Sequence, residues 1–231
     1  MGIAFSCIAK DINVDRPEID MTVLKNKNLP IVWISGQQNT GKKTHGDLIK
    51  EKFNYDHIST TELLRQESTK DTERAEAVRE ALKMKKKISD DIVIDLLKEA
   101  LSTSKNETGF VISNFPKNAK QAEMFINEIG NVSFILHLYS DTVSLINRAQ
   151  EKSEETLNED ILKRDIIFAS RDIRLSLLKY SEIVENVSTN DPPERVFGNI
   201  ERVFTDRLNV YPPMAEETDY IRQQDNAQEE I

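Results

Sequence analysis

Gly36-Gln-Gln-Asn-Thr-Gly-Lys-Lys-Thr44, close behind the apolar run Leu29-Pro-Ile-Val-Trp-Ile34, reads G-x-x-x-x-G-K with a threonine two places beyond the lysine. The apolar run is too short for a helix and is consistent with a buried parallel strand. The Lys42 to Phe53 segment that follows has helical spacing, with Leu48, Ile49 and Phe53 on one side. A strand that hands over to a helix through such a loop is a phosphate-gripping device. Backbone N–H groups and the helix N-terminus cradle the anion, and the lysine reaches its terminal groups. The candidate nucleotide-binding residues are therefore Gly36, Gln37, Gln38, Asn39, Thr40, Gly41, Lys42, Lys43 and Thr44. The loop departs from the usual pattern. Gln37, Gln38 and Asn39 stand where small or rigid residues serve, and Lys43 stands where Ser, Thr or Gly is usual. Asn39 tolerates a left-handed conformation at modest cost. The side chains of Gln37 and Gln38 are expected to crowd the phosphate path.

Outward from the loop, short apolar runs alternate with helical patterns. Strands are expected at 56–59, 109–113, 133–139 and 182–187. Helices are expected from Thr60, capped by Ser59 or Thr60, through a charged stretch to 87. Further helices are expected over 88–101 (capped by Ser89 or Asp90), 118–129, 141–152, 157–180, and from the Asn190-Asp-Pro-Pro193 turn to Leu208. The alternation implies crossover connections and a parallel five-stranded α/β sheet of the P-loop NTPase type, with helices on both faces. Ligands of such sheets sit at the carboxyl ends of the strands. Residues 1–28 read as an N-terminal arm, 29–208 as the domain, and 209–231 as an acidic, disordered tail.

At 231 residues the chain has room for one domain with appendages, and 38% hydrophobic residues supply a core. A formal charge of −9 argues against non-specific nucleic-acid binding, which needs a basic face. Cys7 is the sole cysteine, so no internal disulfide forms and a reducing, cytoplasmic setting is expected. The sequence holds no apolar run approaching the ~18 residues of a membrane span. His45, His57 and His137 lack metal-ligand spacing and read as structural.

Three landmarks in order resemble those of the adenylate kinases of the short-lid, cytosolic type, over about residues 29–208. Ser35-Gly-Gln-Gln-Asn-Thr-Gly-Lys-Lys-Thr44 resembles the family's Gly-rich loop ending Gly-Lys-Gly-Thr. Tyr55-Asp-His-Ile-Ser-Thr-Thr-Glu-Leu-Leu-Arg65 resembles a segment ending Ser-Thr-Gly-Asp-Leu-Leu-Arg. Gly109-Phe-Val-Ile-Ser-Asn-Phe-Pro-Lys117 resembles Gly-Phe-Leu-Ile-Asp-Gly-Tyr-Pro-Arg, and Gln121 then falls on the glutamine that reads adenine. The resemblance implies phosphoryl transfer from Mg2+-bound ATP to AMP by a monomer. Lys42, Arg148 and Arg164 would act on the transferring phosphates, and Lys152 would stand for a further arginine. Thr60, Arg65, Lys117 and Gln121 would hold the acceptor. The departures concern chemistry more than fold. Ser113 replaces the aspartate that helps hold magnesium, and Lys117 keeps charge but not the two-pronged guanidinium geometry. Ser153-Glu-Glu-Thr156 replaces a lid containing an arginine and paired aspartates. Losing one arginine clamp costs about 10³-fold or more. Two readings follow: a weakened nucleoside monophosphate kinase, or a nucleotide-binding scaffold without turnover.

Separately, Met1-Gly-Ile-Ala-Phe-Ser6 matches the N-myristoylation pattern at Gly2, with Cys7 beside it as a second acylation site. Both modifications together would place the protein on a membrane surface, since one acyl chain anchors only marginally.

Overall fold

The computed structural model describes residues 16–209. Gly2, Cys7 and the acidic tail beyond Asn209 lie outside the described residues. The elements run α1 (Thr22–Lys27), β1 (Ile31–Gly36), α2 (Lys42–Phe53), β2 (Asp56–Ser59), α3 (Thr60–Glu67), α4 (Glu73–Lys83), α5 (Asp90–Thr103) and β3 (Phe110–Ser113). They continue with α6 (Ala119–Glu128), β4 (Phe134–Tyr139), α7 (Thr142–Glu151), α8 (Glu159–Leu177), a 3-10 turn (Leu178–Ile183), β5 (Val184–Ser188) and α9 (Pro193–Leu208). The five strands lie in the order β2-β3-β1-β4-β5, all parallel.

The alternation of side chains along β1 divides the core between the two faces of the sheet. Ile31 and Trp33 enter one layer, with Leu97, Leu101, Phe115 and Phe125. Val32 and Ile34 enter the other, with Ile49, Phe53, Phe134 and Phe204. Trp33 is wholly buried and meets Phe115 and Phe125 edge-on, with centroids 5.1 and 5.2 Å apart. Each such aromatic pair adds about 0.5–1.5 kcal/mol beyond simple burial. The register aligns Ile34, Ser59 and Ser113 across β1, β2 and β3. The loop after β1, the start of α3 and the turn after β3 therefore share one edge of the sheet.

Side chains cap four of the helices. Thr72 accepts from Ala75 N–H, Asn118 from Gln121, Asp141 from Ser144 and Asn158 from Ile161. Ser59 and Ser89 occupy N-cap positions but make no such bond, while Asp90 is buried and engaged elsewhere.

Three elements differ from the sequence reading. Residues 16–28, read as arm, pack on the domain. Met21 is buried, and Arg16 bonds Asp95 on α5 and Glu128 on α6. The charged stretch to 87 is interrupted. Ser68 and Thr69 turn their hydroxyls onto the carbonyls of Arg65 and Gln66, and Glu67 dives inward to Arg74. Such local side-chain bonds compete with helix continuation. The long helix of 157–180 ends at Leu177, and the chain tightens into the 3-10 turn before β5.

Candidate nucleotide-binding site

Gly36 ends β1 at φ 144°, where a Cβ would lie 2.1 Å from the Leu138 carbonyl oxygen. Only glycine fits that approach. Asn39 takes the left-handed conformation at φ 66°, and Gly41 follows at φ 79°. Gly41 is the N-cap of α2, and no side chain caps this helix. Its first-turn N–H groups are left for an outside acceptor, at the positive end of the helix dipole.

Lys42 is 6% exposed, and its ammonium donates to the Gln37 carbonyl oxygen. Thr40 donates its hydroxyl to the same oxygen at 2.8 Å. Burial, and then the charges of Lys117 and Lys152, bring the Lys42 pKa down to about 7. Two more cations reach the loop from α7. Arg148 donates to the Asn39 carbonyl and to Thr189, and Lys152 donates to the Asn39 side chain at 3.2 Å. Arg148 also contributes to lowering the His45 pKa, an effect led by burial. The concavity over this loop has a volume of about 440 Å³ and runs from Asn39 and Gly41 past His45, Arg148 and Lys152 to Asn190 and Pro192.

The two loop glutamines do not close over the anion path together. Gln37 donates its amide to Ser170 on α8 at 3.0 Å, and Gln38 faces solvent. Lys43 is exposed and pairs with Asp47 at 2.6 Å. Thr44 is exposed and lines the concavity.

The residues expected to hold an acceptor are more dispersed. Thr60 is buried and donates to the Ser113 and Asn114 carbonyls. Arg65 is exposed and forks onto Glu62, donating from Nε and Nη2 to the two carboxylate oxygens. Gln121 is 3% exposed. Its Nε2 donates to Asp90 at 3.0 Å and its Oε1 accepts from the Lys117 N–H at 2.8 Å. Both ends of that amide are therefore engaged within the protein. Arg164 is exposed on α8, with Asp165 as its nearest acid at 3.9 Å. The structure thus gathers Lys42, Arg148 and Lys152 at the loop, and leaves Arg65 and Arg164 on the surface.

Ser113 is wholly buried, and its Oγ lies 2.8 Å from His57 Nε2. His57 Nδ1 lies 2.7 Å from Asp47 Oδ1. Burial keeps His57 below its ordinary value and hence neutral. Burial opposes ionisation of Asp47, but hydrogen bonds from Lys43 and His57 prevail and hold it below the usual carboxylate range. The ionised Asp47 fixes the proton on Nδ1, so the Ser113 hydroxyl donates to Nε2. Gly46 makes room for this ring, since a Cβ there would come within 2.4 Å of Nε2. A hydroxyl with no exposed surface is no candidate nucleophile. It also supplies no charge to a metal, for which carboxylates and substrate phosphates are the preferred ligands. Sequence reasoning singled out neither Asp47 nor Ser170. Ser170 meets Gln37 from 133 positions away, which no spacing rule announces, whereas the i,i+4 spacing of Lys43 and Asp47 was a signal available in the sequence.

A parallel sheet with an uncapped helix behind a lysine-bearing loop defines a P-loop nucleotide-binding fold. Residues 34–218 match the family model for adenylate kinase, and the chain belongs to the adenylate kinase family. It is similar to adenylate kinase isoenzyme 5 of Mus musculus, with 30% identity over 72% of this chain and 31% of the relative. Against adenylate kinase isoenzyme 1 of Cyprinus carpio the identity is 25%, over 75% of this chain and 93% of the relative. The human isoenzyme 1 gives 25% over 76% and 94%. The chain thus spans about a third of the Mus musculus isoenzyme 5 and nearly all of these two isoenzyme 1 relatives. Adenylate kinases use ATP with Mg2+. The residues present here do not fit that metal, because its carboxylate position holds the spent hydroxyl of Ser113. Among the described residues, no helix is long and apolar enough to cross a membrane.

Proposed function

We propose that the protein binds ATP over the Gly36–Thr44 loop and AMP beside α3, and transfers phosphoryl groups between them slowly. The observation that carries this reading is the uncapped start of α2, with Lys42 beneath it and Arg148 and Lys152 converging on Asn39. Three cations around one set of open N–H groups form an anion site for which a polyphosphate is the natural occupant. Phosphoryl transfer depends on positioning and on cancelling charge as the group moves. Arg164 is exposed, Arg65 is held by Glu62, and Ser153–Thr156 brings no arginine, so transfer rests on Lys42, Arg148 and Lys152. The test is ADP formation from ATP and AMP in a coupled assay, with Lys42→Ala as control. A low rate lost in the variant supports transfer at this site, whereas a rate that survives in Lys42→Ala excludes it.

A purely scaffolding role is the second reading, favoured by Arg65–Glu62 and by the engaged amide of Gln121. It predicts nucleotide binding with no ADP above the Lys42→Ala background. We further propose a monomer that reaches membranes through acylation at Gly2 and Cys7, the two hydrophobic signals that stable attachment needs. Sedimentation at micromolar concentration tests the first statement, and fractionation of Gly2→Ala the second.

A further inference from the structure

We propose that the ligand of the loop is a nucleoside triphosphate free of divalent metal, and that Mg2+ weakens its binding. The inference rests on the proposed ATP site and names the ionic form that the site takes.

Charge balance decides which ionic form the site takes. A metal-bound triphosphate carries two fewer negative charges than the free one, so a given set of cations gains less from the complex unless acids of the site hold the metal's water shell. This site offers the opposite. Lys42, Arg148 and Lys152 meet at Asn39 and Gln37. Lys117 lies close enough to repel the charge on Lys42. Acids of the neighbouring elements each have a cationic or histidine partner. Asp47 is bound to Lys43 and His57, Glu62 to Arg65, and Asp191 at the mouth of the concavity to Arg195 at 3.4 Å.

The Ser113 position makes the bias structural. Its hydroxyl is fully buried and donates to His57, whose other nitrogen is fixed by Asp47. Freeing that hydroxyl for a metal-bound water would break the chain, and it would still add no charge. The metal thus cancels phosphate charge that the cations use and finds no acid to repay the loss. Free triphosphate meets Lys42, Arg148 and Lys152 with its full charge, and the burial of Lys42 shields that pair from solvent screening.

The experiment is calorimetric titration of the full-length protein with ATP, once in EDTA and once in Mg2+ sufficient to saturate the nucleotide, at matched ionic strength. The expected result is binding about tenfold tighter in EDTA, the ratio that about 1.4 kcal/mol produces. Equal affinity, or tighter binding with Mg2+, overturns the proposal while leaving the nucleotide site standing. Absence of binding in both conditions overturns the site and the proposal together. Lys152→Ala alters an exposed side chain and is expected to lower affinity more in EDTA than in Mg2+. An unchanged ratio in that variant refutes the charge-balance argument. Ser113→Asp is expected to move the preference at least threefold toward Mg2+, and a ratio that does not move refutes the role given to Ser113.

Discussion

Lys42→Met is expected to stabilise the ligand-free protein at low pH while destroying its response to nucleotide. Burial, Lys117 and Lys152 lower the Lys42 pKa from an ordinary 10.5 to about 7. Between those values the unfolded chain keeps a proton that the folded chain has released. Stability therefore rises with pH through that window, by about 1.36 kcal/mol per unit. Below pH 7 the folded protein holds the charge at full cost. Over the interval from 7 to 10.5 the penalty amounts to about 5 kcal/mol at pH 6 and falls to about 2 kcal/mol at pH 9. Methionine removes this penalty and keeps the length of the side chain. It also removes the bond to the Gln37 carbonyl, a loss of about 1.5–3 kcal/mol for a charged donor. That oxygen keeps its bond from the Thr40 hydroxyl and is not orphaned. The net gain at pH 6 is then about 2–4 kcal/mol, shrinking by about 3 kcal/mol at pH 9. Urea unfolding of both proteins at the two pH values measures it, because other titrating groups cancel in the difference. A variant that is less stable at pH 6, or a difference that does not change with pH, would refute the reasoning.

Three further outcomes are expected. ADP formation is expected at least about 10³-fold below that of a complete adenylate kinase, the size of a missing arginine clamp, with Ser113→Asp restoring only part; an ordinary rate sinks this. Gly36→Ala places a methyl group 2.1 Å from the Leu138 carbonyl at φ 144°, and should lower stability by roughly 1–3 kcal/mol or more in denaturant unfolding. Gly2→Ala should release the protein from membranes and Cys7→Ser should weaken attachment; a wild type that is already fully in the soluble fraction of acylating cells shows the N-terminal match to be chance.

The fold was legible because it is written in local patterns. Ile31 to Ile34 is a continuous apolar run that only a strand buried on both faces can use, and the helices between the strands show their own period. Asn39 could be assigned its left-handed turn, since few other residues take one cheaply, and it adopts φ 66°. What stayed hidden depends on partners distant in sequence. Residues 16–28 look like an arm until Arg16 meets Asp95, 79 positions away, and Met21 enters the core. The break after Glu67 is local by contrast: the Ser68 and Thr69 hydroxyls turn onto carbonyls three residues back, and Glu67 pairs with Arg74, in a charged stretch that carries no Gly or Pro to mark a stop. At the site, Lys42, Arg148 and Lys152 could be chosen from the loop motif and from resemblance, and the structure brings them together. The tie of Ser113 through His57 to Asp47 could not, because three elements must fold before those atoms meet. Gln37 was expected over the phosphate path and instead reaches Ser170, 133 positions on, which only the placement of α8 decides.

The central claim is that the loop behind β1 still grips nucleotide although the machinery for transfer is incomplete. The most direct measurement is calorimetric binding of a dinucleotide that spans both nucleotide sites, to the full-length protein and to Lys42→Ala. The account predicts one ligand per chain for the wild type and a loss of at least about tenfold in affinity for the variant, since Lys42 is the cation beneath the open helix N-terminus. No binding to the wild type at millimolar ligand, or equal binding by both proteins, would contradict it.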